Sequence, residues 1–112
     1  MLSLNGDNRI WLCTRPTDMR RSFDGLSAMV RNVLQQDPLC GDWFVFINKR
    51  RTQMRVLYYA TGGYAIWCKR LEQGTFARLE KGCLSLSELM LLIDGIDVKP
   101  VRKRQRFSRK KT

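Results

Sequence analysis

Apolar positions along this chain change their period several times, and each change predicts an element. Arg9-Ile10-Trp11-Leu12-Cys13 is rich in β-branched and aromatic residues and reads as a strand that stops before Arg15-Pro16. Phe23, Leu26, Val30, Val33 and Leu34 then fall at i, i+3, i+7, i+10 and i+11, one face of a 3.6-residue period, which predicts a helix. Ser22 is placed to cap that helix and Asp24 meets the positive end of its dipole. Gly25 weakens its first turn, and Pro38 stops it by forcing residue 37 out of the helical region. A β-meander follows. Trp43 to Asn48 is a strand, Lys49-Arg50-Arg51-Thr52-Gln53 a polar loop, and Met54 to Ala60 the returning strand. Gly62-Gly63 supplies a two-residue hairpin turn that needs positive φ, Tyr64 to Arg70 is the next strand, and Thr75-Phe76-Ala77-Arg78 a short edge. In the returning strand Val56 and Tyr58 point one way and Leu57 and Tyr59 the other. Either both sheet faces are covered or one carries an exposed aromatic patch. Ser85-Leu86-Ser87-Glu88 has the capping-box form, with Leu89 to Ile93 behind it and Gly95 as the stop.

The order strand, helix, three strands, helix predicts an α+β fold: an antiparallel sheet of about four strands, a β-meander, with two helices packed on it. Residues 1–98 suit one domain, closed by Ile96-Asp97-Val98. With 44% hydrophobic residues in 112, the chain has enough apolar side chains for a core.

Charge changes the picture at the end of the chain. The net charge is +11, and residues 99–112 hold eight of the 21 basic residues and no acid, leaving 13 bases against 10 acids before them. A flexible basic tail carrying Arg102, Lys103, Arg104, Arg106, Arg109, Lys110 and Lys111 is expected there, since such a stretch cannot bury itself. It attracts polyanions, and phosphate contact is the favoured use, with solubilisation the competing one. The start of the chain has neither a basic opening nor an apolar run, and the longest apolar run, Leu89 to Ile93, is far shorter than the ~20 residues a bilayer span needs. A cytosolic protein without membrane contact is therefore expected.

Catalytic chemistry has little to recruit. There is no histidine, and the ten acids are scattered among turn and capping positions, such as Asp18 and Asp24 at the first helix and Asp94 at the second. Cys13, Cys40, Cys68 and Cys83 form no C-x-x-C pair and are expected to be small buried hydrophobes. No metal or other cofactor is expected. Binding has more material. Lys49, Arg50 and Arg51 with Arg55 put four cations at one end of a hairpin, no acid interrupts residues 43–71, and two-stranded basic ribbons fit DNA grooves. Arg20-Arg21 and Lys69-Arg70 either extend that surface or pair with Asp24 and Glu72. Tyr59, Trp67 or their neighbours are candidates to stack on bases or meet a protein partner, most of the aromatics being core.

The blocks Thr17-Asp18-Met19-Arg20-Arg21-Ser22-Phe23-Asp24-Gly25-Leu26, Phe44-Val45-Phe46 with Arg50-Arg51, Val56-Leu57-Tyr58, Lys69-Arg70-Leu71-Glu72-Gln73-Gly74-Thr75-Phe76 and Leu92-Ile93-Asp94-Gly95-Ile96-Asp97 run in order over residues 1–98. Together they resemble the TnpB accessory protein of the insertion-sequence family numbered sixty-six. The resemblance implies a protein that assists transposition beside a separate three-carboxylate transposase and a small first-frame protein, without supplying the chemistry. Ser22, Tyr59-Ala60 and Ala77-Arg78 depart from the family, which tends to carry Gly, Trp-Asp and Trp-Pro there. Two functions remain open: a DNA-binding accessory factor that uses hairpin and tail, or an adaptor that docks on the transposase or the first-frame protein. A continuous positive face would favour the first and an exposed apolar patch the second.

Overall fold

A strand followed by a helix and then a neighbouring strand brings the chain back in the direction it started, and this controls the sheet. The computed structural model describes residues 8–95. Its elements are β1 (Ile10–Leu12), α1 (Phe23–Asn32), β2 (Trp43–Ile47), β3 (Gln53–Ala60), β4 (Gly63–Arg70), β5 (Cys83–Leu84) and α2 (Leu86–Ile93). They build one five-stranded sheet in the order β4-β3-β2-β1-β5. β1 and β2 are parallel, with Ile10 opposite Trp43, and every other pairing is antiparallel. The sheet is therefore mixed and five-stranded, where an antiparallel one of about four was expected. The helix between β1 and β2 makes a crossover, and crossovers join parallel strands. The fifth strand is Cys83–Leu84, while Thr75 to Arg78 form no strand.

β2 is central, so both of its faces are covered and it reads as an unbroken apolar run. Phe44 and Phe46 turn towards α1, where they pack with Leu26, Val30 and Leu57. Trp43, Val45 and Ile47 turn to the other face with Met54, Val56 and Phe76, under Leu89 and Leu92 of α2. This two-sided burial is why β3 lacks alternation, while Tyr58, Tyr59, Tyr64 and Trp67 stay half-buried.

Several local details differ from expectation. Ser22 makes no side-chain cap, α1 ends at Asn32 well before Pro38, and Phe23 is 45% exposed. The apolar face that matters is Leu26 and Val30, with Met29, Val33 and Leu34 packed beside it. A Cβ at Gly25 would sit 3.1 Å from Arg21 Cβ, a tight contact that the exposed Arg21 would have to ease by a few tenths of an ångström. The capping box of α2 is present as expected, with Ser85 Oγ accepting from Glu88 N at 3.1 Å and Glu88 Oε1 accepting from Ser85 N at 2.8 Å. Gly95 stops that helix at φ +77°. Of the cysteines, only Cys13 is buried; Cys40, Cys68 and Cys83 are exposed, because β4 and β5 are the edge strands and Cys40 lies in a loop.

The β3–β4 turn is Thr61-Gly62, one residue earlier than expected, because Ala60 and Gly63 are already paired. Both turn residues have positive φ, 55° and 80°. Such turns favour asparagine first, whereas a β-branched threonine is strained there. Thr61→Asn should therefore stabilise the protein by about 0.5–1 kcal/mol. In a thermal melt that is a rise of roughly 3–6 °C, and an unchanged or lower midpoint would refute the strain.

Candidate nucleic-acid interface

The register of the sheet puts the ends of β1, β2 and β4 and the start of β3 together. The segments leaving or entering at that end carry Arg15, Arg20, Arg21, Lys49, Arg50, Arg51, Lys69, Arg70 and Arg78. A body whose total charge is nearly balanced thus concentrates its cations at one end, where β1–α1, β2–β3 and β4–β5 connections meet.

Asn48 shapes the basic loop. Its Oδ1 accepts from Thr52 N at 2.9 Å and Gln53 N at 3.0 Å, and its Nδ2 donates to Thr52 Oγ1 at 3.3 Å. Arg51 N donates to Asn48 O at 3.0 Å, and Arg51 takes φ +59° to close the turn. Lys49 and Arg50 are held outwards on this frame, both exposed. The loop is not the tip of a free ribbon. Residues 13–17 run beside it, with Thr17 N donating to Ile47 O, and Phe76 N donates to Arg51 O at 2.7 Å. The cations therefore decorate a broad sheet end that suits phosphate contact better than insertion into a groove.

The sequence-predicted cations divide into free and engaged. Among the described residues, the side chains of Lys49, Arg50 and Arg21 have no hydrogen-bond or ion-pair partner. Arg51 Nε donates to Phe76 O at 3.0 Å, and Arg55 Nη1 to Arg21 O at 2.8 Å across to the entry of α1. Lys69 Nζ donates to Ile93 O at 2.7 Å, a cation on the negative end of α2. Arg70 pairs with Glu72 at 2.9 Å, and Arg20 pairs with Asp18 at 2.7 Å rather than with Asp24. Such exposed pairs are worth little and open readily to a polyanion. Lys69 is the cross-strand partner of Met54, so its bond to Ile93 brings the end of α2 to the base of the basic loop. Arg102, Lys103, Arg104, Arg106, Arg109, Lys110 and Lys111 themselves lie outside the described residues, as do Ile96-Asp97-Val98.

Two cations of this end, Arg15 and Arg78, escape sequence reasoning. Both line a cavity with Lys49 and Arg51. Arg15 had a usable signal, since loops after parallel strands gather at one end; Arg78 had none. The candidate stacking aromatics are elsewhere. Tyr59 is at the far end of β3, edge-on to Tyr64 with ring centroids 5.3 Å apart, and Trp67 packs on the α2-side core.

Asp18 braces the approach to α1. Its carboxylate accepts from Arg20 Nη2 at 2.7 Å and from Arg20 N at 2.9 Å, and these bonds hold its pKa down at about 2 against an ordinary 3.8. A depressed folded pKa means that the stability Asp18 contributes is complete above the unfolded value and is lost as pH falls from about 4 towards 2. Carboxyl carbon NMR should show Asp18 titrating near 2; a midpoint near 3.8 would refute the brace.

These features define a class, a small mixed-sheet α+β protein with cations gathered at the carboxyl ends of its parallel strands. The chain belongs to the IS66 Orf2-like family, whose model matches residues 8–103, and so falls among the accessory proteins of insertion sequences. It is 39% identical over 100 residues to the uncharacterized protein y4jC of Sinorhizobium fredii, covering 86% of each chain. It is 35% identical over 101 residues to the uncharacterized protein y4hO of the same organism, covering 87% of this chain and 88% of that one. No solved structure matches it. Among the described residues no helix is long and apolar enough to cross a membrane.

Proposed function

We propose that this protein is a non-catalytic accessory factor of insertion-sequence transposition that holds DNA by its phosphates while a separate transposase does the chemistry. The observation that carries this reading is the gathering of cations at one sheet end, to which Lys69 also ties the end of α2. Four of the carboxylates have structural work: Asp18 and Glu72 face arginines, Glu88 caps α2 and pairs with Lys81, and Asp42 accepts from Trp11 Nε1 at 2.9 Å and Arg9 N at 2.9 Å. Residues 1–98 act as the folded unit in this reading and residues 99–112 as its phosphate-seeking tail.

A second reading rests on α2, which turns Leu86, Met90 and Leu91 outwards at 50%, 42% and 39% exposure. Leu86 and Met90 lie one turn apart and make an apolar ridge that a transposase or first-frame protein could cover. Capture of the transposase by the tagged protein, with and without nuclease, tells the two apart. Loss of capture on nuclease treatment is expected, because DNA bridges the proteins. Capture that survives nuclease and disappears in Leu86→Ser/Met90→Ser would replace DNA binding by the adaptor reading.

A further inference from the structure

A recess of about 50 Å³ opens where β1 and β2 both finish. In open sheets the crevice outside the carboxyl ends of parallel strands is where ligands settle, because the loops there diverge and leave space. Four cations from three different connections line this one: Arg15 after β1, Lys49 and Arg51 after β2, and Arg78 between β4 and β5. No carboxylate is among its lining residues. Four like charges around one hollow repel each other, and an anion at their centre relieves that repulsion. The volume holds roughly four water-sized atoms, which is the size of a tetrahedral oxyanion.

The donors are arranged for it. Arg51 Nε is occupied by Phe76 O, which orients the guanidinium and leaves its terminal nitrogens as donors. Arg51 also keeps a left-handed backbone, φ +59°, that a non-glycine residue rarely adopts. Arg78 is only loosely engaged, its Nη1 lying 3.8 Å from Glu80 with both side chains mostly exposed. The geometry points to a binding site for a single phosphate group, held by Arg15, Lys49, Arg51 and Arg78. The site deepens the DNA-binding reading above, since a phosphate seated there would index the nucleic acid against the sheet. A diester within a strand and a terminal or free phosphate share this chemistry.

The test is thermal unfolding of the full chain in rising inorganic phosphate at constant ionic strength, with chloride as the balance. A saturable rise in the midpoint is expected. Arg15→Gln/Arg78→Gln removes two exposed pocket cations and should weaken phosphate by about tenfold or more for each, whereas Arg31→Gln, on the last turn of α1, should leave it unchanged. Should the double variant prove poorly folded, phosphorus-31 line broadening by the single variant Arg78→Gln reads the same site, with phosphate weakened by about tenfold expected and wild-type affinity overturning it. Duplexes with and without a 5′-phosphate separate the sources: higher affinity for the phosphorylated end assigns a terminal group, and equal affinity with competition by inorganic phosphate assigns a diester. A wild-type midpoint unmoved by phosphate, or equal protection of the double variant, overturns the site even if duplex binding persists. Phosphate protection without duplex binding keeps the site and removes the DNA reading.

Discussion

Phe76→Ala should destabilise the protein by about 3–5 kcal/mol, the cost of a large cavity in a packed interior, read from urea or thermal unfolding. The residue lies in no helix or strand, yet it is fully buried with Trp43, Val45 and Met54 under α2. Its main chain is equally committed, since Phe76 N donates to Arg51 O and Phe76 O accepts from Arg51 Nε. The cavity should therefore also loosen the basic end, and DNA affinity should fall in a variant that has lost no charge. Phe23→Ala is the control. Phe23 belongs to the periodic face of α1 but is 45% exposed, so its loss should cost under about 1 kcal/mol. If the two substitutions cost the same, the strandless segment 71–79 is not anchored by Phe76 and the basic end is not braced through it.

Affinity for duplex DNA should collapse with salt, by a log–log slope of roughly −0.9 for each phosphate neutralised. Deleting residues 99–112 removes eight cations and should flatten the slope by at most about seven, leaving folding intact. In the truncated chain, Lys49→Ala/Arg50→Ala removes two exposed cations of the loop and should flatten it by nearly two more. Arg51 is left in place, because it braces Phe76 and closes the turn, so its replacement would mix loss of charge with loss of shape. Little sequence preference is expected, since the loop sits on a broad sheet end and meets backbone rather than base edges. A truncated protein that binds equally well after the double substitution would show that the loop is not the contact surface. Absence of duplex binding by either form at moderate salt would put the apolar ridge of α2 in its place.

Period and local chemistry located β1 to β4 and both helices, and the Ser85–Glu88 box marked the start of α2, because these signals depend on residues only three or four positions apart. The family was legible for the same reason: its blocks are contiguous. The cations of the 49–51 loop were visible as a charge run between two apolar runs. The parallel pairing of β1 with β2 was implicit in the order strand, helix, strand, but the two-residue β5 was not, since Cys83-Leu84 has no periodicity to show and exists only because β1 offers it an open edge. Packing alone decided that Phe76 rather than Phe23 is core and that three of four cysteines face outwards, because burial depends on what lies across the sheet. The cationic recess is the plainest case: Arg15, Lys49, Arg51 and Arg78 span 64 positions of the chain, and only the meeting of three connections at one sheet end makes them neighbours.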